Sequence, residues 1–373
     1  MIGKANKILL VQLYSNGDCL YATAVARQIK EDYPGCHLTW AIASFCKNII
    51  AYNPYVDAVL EVEIEKNDEA AFRRFSKEIL KKKNQAAYDE IFIVHNIGPN
   101  HAFYDGCIRS SILHAYPHPI TVPVTPVLQL TVEETDKSEA FARHHQLDSY
   151  KNVLLFEFAP QSGQLKITKE LAITIAESIA SRSNTAIILS SAHKIDHPNK
   201  AIIDGSSLSL RETAAVTHHC SMLLGCSSGI TWITTSTAAK LLPMVQLFNA
   251  DSIWQNPISR DFKRFNLPVE KVIELLDFDV QKISSCVIEA ISDFKTARQR
   301  FNQPVPLNFK TTRNIVYNLL VYLEFAAIIK HIKVNRKVYG DNLSFYKQVL
   351  LGFMIFPFKL VYNLVTKHLL KKR

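Results

Sequence analysis

A buried strand passing directly into an amphipathic helix opens this chain, and the repetition of that unit over the first 300 residues restricts it to a parallel α/β fold. Lys7 to Leu13 (KILLVQL) is an apolar, partly β-branched run, and Cys19 to Lys30 carries helical spacing through Leu20, Ala24, Val25 and Ile29. The alternation continues with strands at His37–Ile42, Ala58–Val62 and Glu90–Val94, and a charged helix at Asp68–Lys83 that closes on three lysines. Four prolines in His114–Pro126 predict an irregular segment, and residues 131–150 read as a polar helix and turn. A second series follows. Strands at Val153–Phe158, Thr185–Leu189, Ala201–Ile203 and Met222–Leu224 alternate with helices at Lys169–Ser181, Leu210–His218 and Ile230–Ala239. Such alternation implies βαβ units on parallel sheets, and 373 residues exceed the usual size of one hydrophobic core. The expectation is two doubly wound domains, 1–148 and 149–300, followed by a helical tail, 301–373.

The turn between the first strand and helix, Ser15-Asn16-Gly17-Asp18, carries the first chemistry. A carboxylate there sits on the rim of a parallel sheet, where open α/β sheets bind ligands. Asp18 is therefore a candidate catalytic base; the alternative is a helix N-cap, a common role for Asp. His95, Asn96 and Gly98 follow another strand end on the same rim and are candidates for an acceptor pocket, or else solvated loop residues.

The stretch KILLVQLYSNGDCLYATAVARQIKEDYPGCHLTWAI, with NPYVDAVLEV at 53–62, resembles the N-terminal signature of glycosyltransferase family 9, the lipopolysaccharide heptosyltransferase group. SLSLRETAAVTHHCSMLLGCSSGITWITTSTAAKLLPMVQLF at 207–248 resembles the nucleotide-sugar segment of the same family, in the right order and at a suitable separation. The resemblance covers most of residues 7–250. It implies the GT-B arrangement, two Rossmann-like domains facing across a cleft, with the acceptor near the first domain and the nucleotide-sugar donor on the second.

Gly225-Cys226-Ser227-Ser228-Gly229 ends a strand and opens a helix, so the N–H groups of Ser228, Gly229 and Ile230 are candidates for a diphosphate cradle. The resemblance also implies a phosphate-neutralising lysine, placed at Lys166 with Lys169 as the alternative. The chain departs from the family where an aspartate and a histidine become Ser227 and Trp232. Trp232 is either a stacking surface for a sugar or base, or plain core. The implied reaction is inverting transfer: Asp18 deprotonates an acceptor hydroxyl as it attacks the anomeric carbon, and lysine and backbone N–H groups meet the leaving diphosphate without a metal. No cofactor and no metal site are expected, in line with the lack of an Asp-x-Asp pair in a suitable loop.

A dinucleotide-dependent oxidoreductase is disfavoured, since the first strand-turn-helix lacks Gly-x-Gly-x-x-Gly. The competing reading is a catalytically silent GT-B protein that binds a glycan or nucleotide and organises a membrane assembly. Seven dispersed cysteines fit reduced thiols in the cytoplasm, and the start of the chain is a poor signal peptide. Charge separates the tail from the rest. Residues 301–373 hold 12 Lys and Arg against Glu324 and Asp341, while residues 1–300 hold 31 bases against 32 acids. Apolar runs at Ile315–Ile329 and Val349–Val365 are interrupted by Asn318, Glu324, Pro357 and Lys359, short of the roughly 20 residues of a span. The tail is expected either at the inner face of the plasma membrane, on anionic lipid beside a lipid-linked or lipopolysaccharide acceptor, or packed on the domains. A nucleic-acid partner is not expected, because the bases are interleaved with aliphatic runs.

Overall fold

The computed structural model describes residues 5–85, 87–159, 165, 167–249 and 257–370. In chain order the first domain contains β1 (Lys7–Val11), α1 (Asn16–Asp32), β2 (His37–Ala43), β3 (Ala58–Val62), α2 (Glu69–Asn84), β4 (Glu90–Ile93) and α3 (Ile108–Ala115). Its four strands form one sheet in the order β3-β2-β1-β4, and every pair is parallel. The first strand is central and its Ile8 to Val11 are fully buried, which is why it reads as a continuous apolar run.

After α4 (Val132–His144) come β5 (Asn152–Glu157), α5 (Lys169–Ala180), β6 (Thr185–Ser190), β7 (Ile202–Asp204), α6 (Leu210–Val216), β8 (Met222–Gly225), α7 (Gly229–Ile233), β9 (Met244–Leu247), α8 (Ile258–Arg264), β10 (Val272–Leu275), α9 (Val280–Ser292) and α10 (Phe294–Phe301). These strands make a second all-parallel sheet, β10-β9-β8-β5-β6-β7. The expected helix at Ile230–Ala239 stops at Ile233, because the hydroxyls of Thr234 and Thr235 turn back onto the carbonyls of Thr231 and Trp232, both at 2.7 Å.

Between the domains, the proline-rich segment crosses from α3 to α4 without regular structure. It is pinned to α1: Gln28 Oε1 accepts the Thr121 and Val122 N–H groups, and Thr23 Oγ1 accepts that of Val127. The two halves share a continuous apolar layer, in which Leu10 and Leu20 of the first and Leu155, Leu223 and Met244 of the second belong to one buried cluster. A separate core fills the other face of the second sheet, under α5 and α9.

The tail forms α11 (Lys310–Val321), α12 (Phe325–Tyr339) and α13 (Leu343–Leu370). It packs on the first domain around Tyr104, Phe309, Val316, Leu319, Ile328 and Phe345. Arg73 of α2 pairs with Glu324 at 2.6 Å, and Asn335 donates to the Tyr104 carbonyl at 2.9 Å. Gly352 lies so close to α11 that a Cβ there would sit 2.7 Å from Val316 Cβ. The first part of the tail is thus a packing element. Among the described residues no helix is long and apolar enough to cross a membrane.

Candidate active site

The first wall of the site is the turn after β1. Ser15, in extended conformation, is the N-cap, and α1 begins at Asn16, so Asp18 lies within the first helical turn rather than capping it. Its carboxylate accepts the Ser15 N–H instead, closing the turn from inside. Burial is the main influence on this half-buried acid and lifts its pKa to about 7, against the opposing pull of the Ser15 N–H and the positive field of Lys66. An acid with that value is half ionised near neutrality and suits general-base work. Gly17 lets the two domains meet here: a Cβ in its place would lie 3.4 Å from Trp232 Cδ1.

The second wall is the loop after β8. Ser227 adopts φ 54°, in the left-handed region, and Gly225 is hemmed in so tightly that a Cβ would fall 2.8 Å from Thr231 Oγ1 and 2.9 Å from Gln246 Nε2. Two buried side chains hold the loop. Gln246 Oε1 accepts the Ser227 N–H at 2.7 Å. Glu157, at the end of β5 and 1% exposed, accepts the Cys226 N–H at 3.2 Å, the Thr231 hydroxyl at 2.9 Å, and both the hydroxyl and the N–H of Ser228. Burial raises the Glu157 pKa, and these donors pull it back. Of the expected cradle, the Ser228 N–H turns to Glu157 from below, as the neighbouring Ser227 N–H does to Gln246, so Gly229 and Ile230 are the N–H groups left to face the cavity.

Between the walls lies a cavity of about 320 Å³, lined by Ser15, Asn16, Gly17 and Lys66 from the first domain and by Ser190, Ser191, Ser206, Thr213, Ser228, Gly229 and Ile230 among others from the second. Among the described residues that line it, Lys66 is the only charged one. A neighbouring cavity of about 460 Å³ shares Asn16 and Leu210 and is lined by Phe45, Tyr52 and Arg211. Phe45 and Tyr52 are 55% and 69% exposed. The segment between them is fastened across the domains, since Arg211 of α6 donates to the Asn48 and Ala51 carbonyls at 3.3 and 3.0 Å while pairing with Glu134.

Several expected residues take other places. Trp232 does not line the cavity. It is 4% exposed, with its ring edge-on to Tyr21 at 5.0 Å and Arg109 at 5.6 Å, so it is interdomain core rather than a sugar contact. His95 is buried rather than solvated or pocket-facing: its Nδ1 accepts from Gln12 Nε2 at 3.0 Å, and burial depresses its pKa to about 3, which keeps the ring neutral. Asn96 accepts the Ser111 hydroxyl at 2.9 Å, also away from the cavity. Lys166 and residues 160–164 lie outside the described residues, and Lys169 is an exposed first residue of α5 that does not line the cavity. The chain's one Asp-x-Asp, Asp277-Phe278-Asp279, is occupied with the start of α9, where Asp279 accepts the Lys282 N–H and Asp277 pairs with the Lys282 ammonium.

Sequence reasoning missed Glu157, Gln246, Lys66, Phe45 and Tyr52. An available signal for Glu157 was the single charge ending the apolar strand NVLLFE.

No family model matches the chain, and no curated protein matches it in sequence. Solved structures do match. A glycosyl transferase family 9 protein from Veillonella parvula DSM 2008 is 14% identical with a TM-score of 0.53, covering 77% of this chain and 90% of its own. The ADP-heptose lipopolysaccharide heptosyltransferase II of E. coli is 15% identical with a TM-score of 0.51, over 79% of this chain and 99% of its own. The fold is GT-B. Two parallel sheets with helices between their strands, and a helical region after them, are the GT-B elements observed here. In this GT-B chain the cavity lies at the carboxyl ends of β1 and β8, the sheet rims where α/β folds receive ligands.

Proposed function

We propose that this chain is an inverting, metal-independent glycosyltransferase that moves a sugar, heptose or another, from a nucleotide-sugar to a lipopolysaccharide or other cell-surface glycan. One observation carries the reading: a single cavity is walled by the turn leading into Asp18 on one domain and by the Ser228–Ile230 loop on the other. The E. coli neighbour is an ADP-heptose lipopolysaccharide heptosyltransferase, and its donor and acceptor classes are those we carry over as expectations.

In this reading the donor lies against the second domain, with the hydroxyls of Ser190 and Ser191 facing its polar groups, while Ser206 and Thr213, whose protons go to Asp204 and the Ser209 carbonyl, offer only their oxygens as acceptors. The acceptor occupies the neighbouring cavity, where the exposed rings of Phe45 and Tyr52 offer apolar faces to a sugar ring. Asp18 removes the acceptor proton as that oxygen bonds to the anomeric carbon, and the bond from that carbon to the diphosphate oxygen breaks on the opposite face. Lys66 and the Gly229 and Ile230 N–H groups meet the charge on the departing diphosphate, joined by Lys166 as the family resemblance implies. The enzyme would act in the cytoplasm at the inner face of a membrane, using no cofactor beyond the nucleotide-sugar co-substrate.

The test is transfer or hydrolysis measured over a panel of nucleotide sugars, for the wild type and for Asp18→Asn, with chelator present. Turnover lost in the variant and unaffected by chelator supports the reading. Binding of nucleotides without turnover of any donor would replace it with the silent GT-B alternative.

A further inference from the structure

We propose that the outward face of α13 is a docking surface for an anionic lipid bilayer. The inference rests on the transferase reading only for what that bilayer presents to the cleft, because lipid binding is measured without donor or acceptor.

The helix has two faces of opposite fate. Phe345, Val349, Gly352 and Phe356 turn toward α11 and the first domain. At about 100° per residue, Leu343, Leu350, Met354 and Val361 fall within about 20° of one line on the opposite side. All four are exposed, Leu343 by 85% and Leu350 and Val361 by 60% each. Pro357 and the 78% exposed Phe358 widen this stripe, with Lys347 at its margin. An apolar line of this length on a helix of 28 residues, about 42 Å, has no partner among the described residues.

Charge selects the occupant. Both acids of the tail are already neutralised, Glu324 by Arg73 and Asp341 by Arg336. Lys333, Lys337 and Lys347 pair with no described carboxylate, Lys359 lies over the Tyr317 ring of α11 at 4.8 Å and so belongs to the packed side, and Lys367, Lys371, Lys372 and Arg373 extend the excess along the sequence toward the chain end. A second copy of the same face would meet like charge. An anionic lipid surface supplies the opposite charge for the lysines and an apolar layer for the stripe. Placement agrees with this: Glu324 binds Arg73 on α2, the helix that follows Lys66, so the tail rides on the domain that holds Asp18.

The experiment uses the full chain, with vesicles of phosphatidylcholine alone or mixed with phosphatidylglycerol, and the double variant Leu350→Glu with Met354→Glu. Both side chains are exposed, and an unchanged thermal melt and light-scattering mass keep folding and oligomerisation out of the comparison. Expected are retention on mixed vesicles only, partial release by high salt because only the lysine part is screened, and at least about tenfold weaker binding by the variant. Equal binding of wild type and variant overturns the proposal. So does a wild type that ignores mixed vesicles, whether it remains monomeric or forms a dimer that the variant cannot form. Failure here leaves turnover on a soluble acceptor intact, whereas failure of the transferase reading leaves vesicle binding intact.

Discussion

Arg109 of α3 and Asp261 of α8 form an ion pair at 3.1 Å across the two domains, with 1% and 0% of their side chains exposed. Tyr21, Trp232 and Phe265 surround the guanidinium at 4.7, 5.6 and 5.5 Å, and the Cys107 thiol donates to Asp261 at 3.0 Å. Asp261→Ala strands a buried cation, which typically costs about 3–5 kcal/mol. Urea denaturation should register a loss of that order. A loss under about 1 kcal/mol would mean that the aromatic rings alone hold Arg109.

The raised Asp18 pKa sets a pH signature. Because the base must be ionised, kcat/KM should climb with pH and level off above about 7. Lys66→Gln removes the field that favours the carboxylate, so the limb should move to higher pH. Asp18→Asn should lower kcat by about 10²–10⁴ while nucleotide affinity persists. Stability runs the other way: a folded-state pKa above the unfolded 3.8 means that Asp18 stabilises the fold below that value and loses this contribution as pH rises through about 7. Above pH 7, Asp18→Asn should melt higher than wild type. A flat rate profile between pH 5 and 9 would remove Asp18 from the base role.

A phosphate-binding role for Lys66 or Lys166 is separable from a structural one by ligand charge. Calorimetric titration of Lys66→Ala or Lys166→Ala should show weaker binding of a nucleoside diphosphate and an unchanged affinity for the bare nucleoside. Parallel losses for both ligands would indicate that the lysine supports structure instead.

Glu157→Leu leaves several donors without an acceptor, among them the Cys226 N–H, the Thr231 hydroxyl and both Ser228 groups. Each buried orphan costs about 1–3 kcal/mol. A lower melting temperature should accompany a weakened diphosphate affinity, since the loop carrying Gly229 and Ile230 loses its floor. Wild-type affinity in a destabilised protein would disconnect the loop from the ligand.

Eight strands were legible in the sequence; β1, β2, β5, β6 and β8 ran as apolar stretches because a strand inside a parallel sheet is covered on both faces, while the edge strands β3 and β4 showed through their apolar residues although they are only partly covered. The two that were not, β9 (MVQL) and β10 (VIEL), each carry one buried polar side chain that holds a neighbouring segment in place. Gln246 accepts the Ser227 N–H, and Glu274 accepts that of Ser259. A four-residue run interrupted in this way loses its signal. At the site, the Ser15–Asp18 turn and the Gly229–Ile230 loop follow strand ends and were placed by pattern. Lys66, Phe45 and Tyr52 stand in connecting segments, where no period marks which face meets a cavity. His95 misled because a histidine after a strand reads as exposed, while its burial depends on Gln12, Tyr14 and Phe72, all distant in sequence.

The apolar layer shared by the two halves also bears on how such a protein can change over evolutionary time. With Trp232 of one half wedged beside Tyr21 and Gly17 of the other, neither half presents a water-compatible surface on its own. Recombination that exchanged the donor-side half for that of a relative would have to bring a matching inner surface with it. In the proposed transferase, new donor specificity would be more accessible through the serine- and threonine-rich cavity wall, where single substitutions would meet the ligand and leave the seam undisturbed.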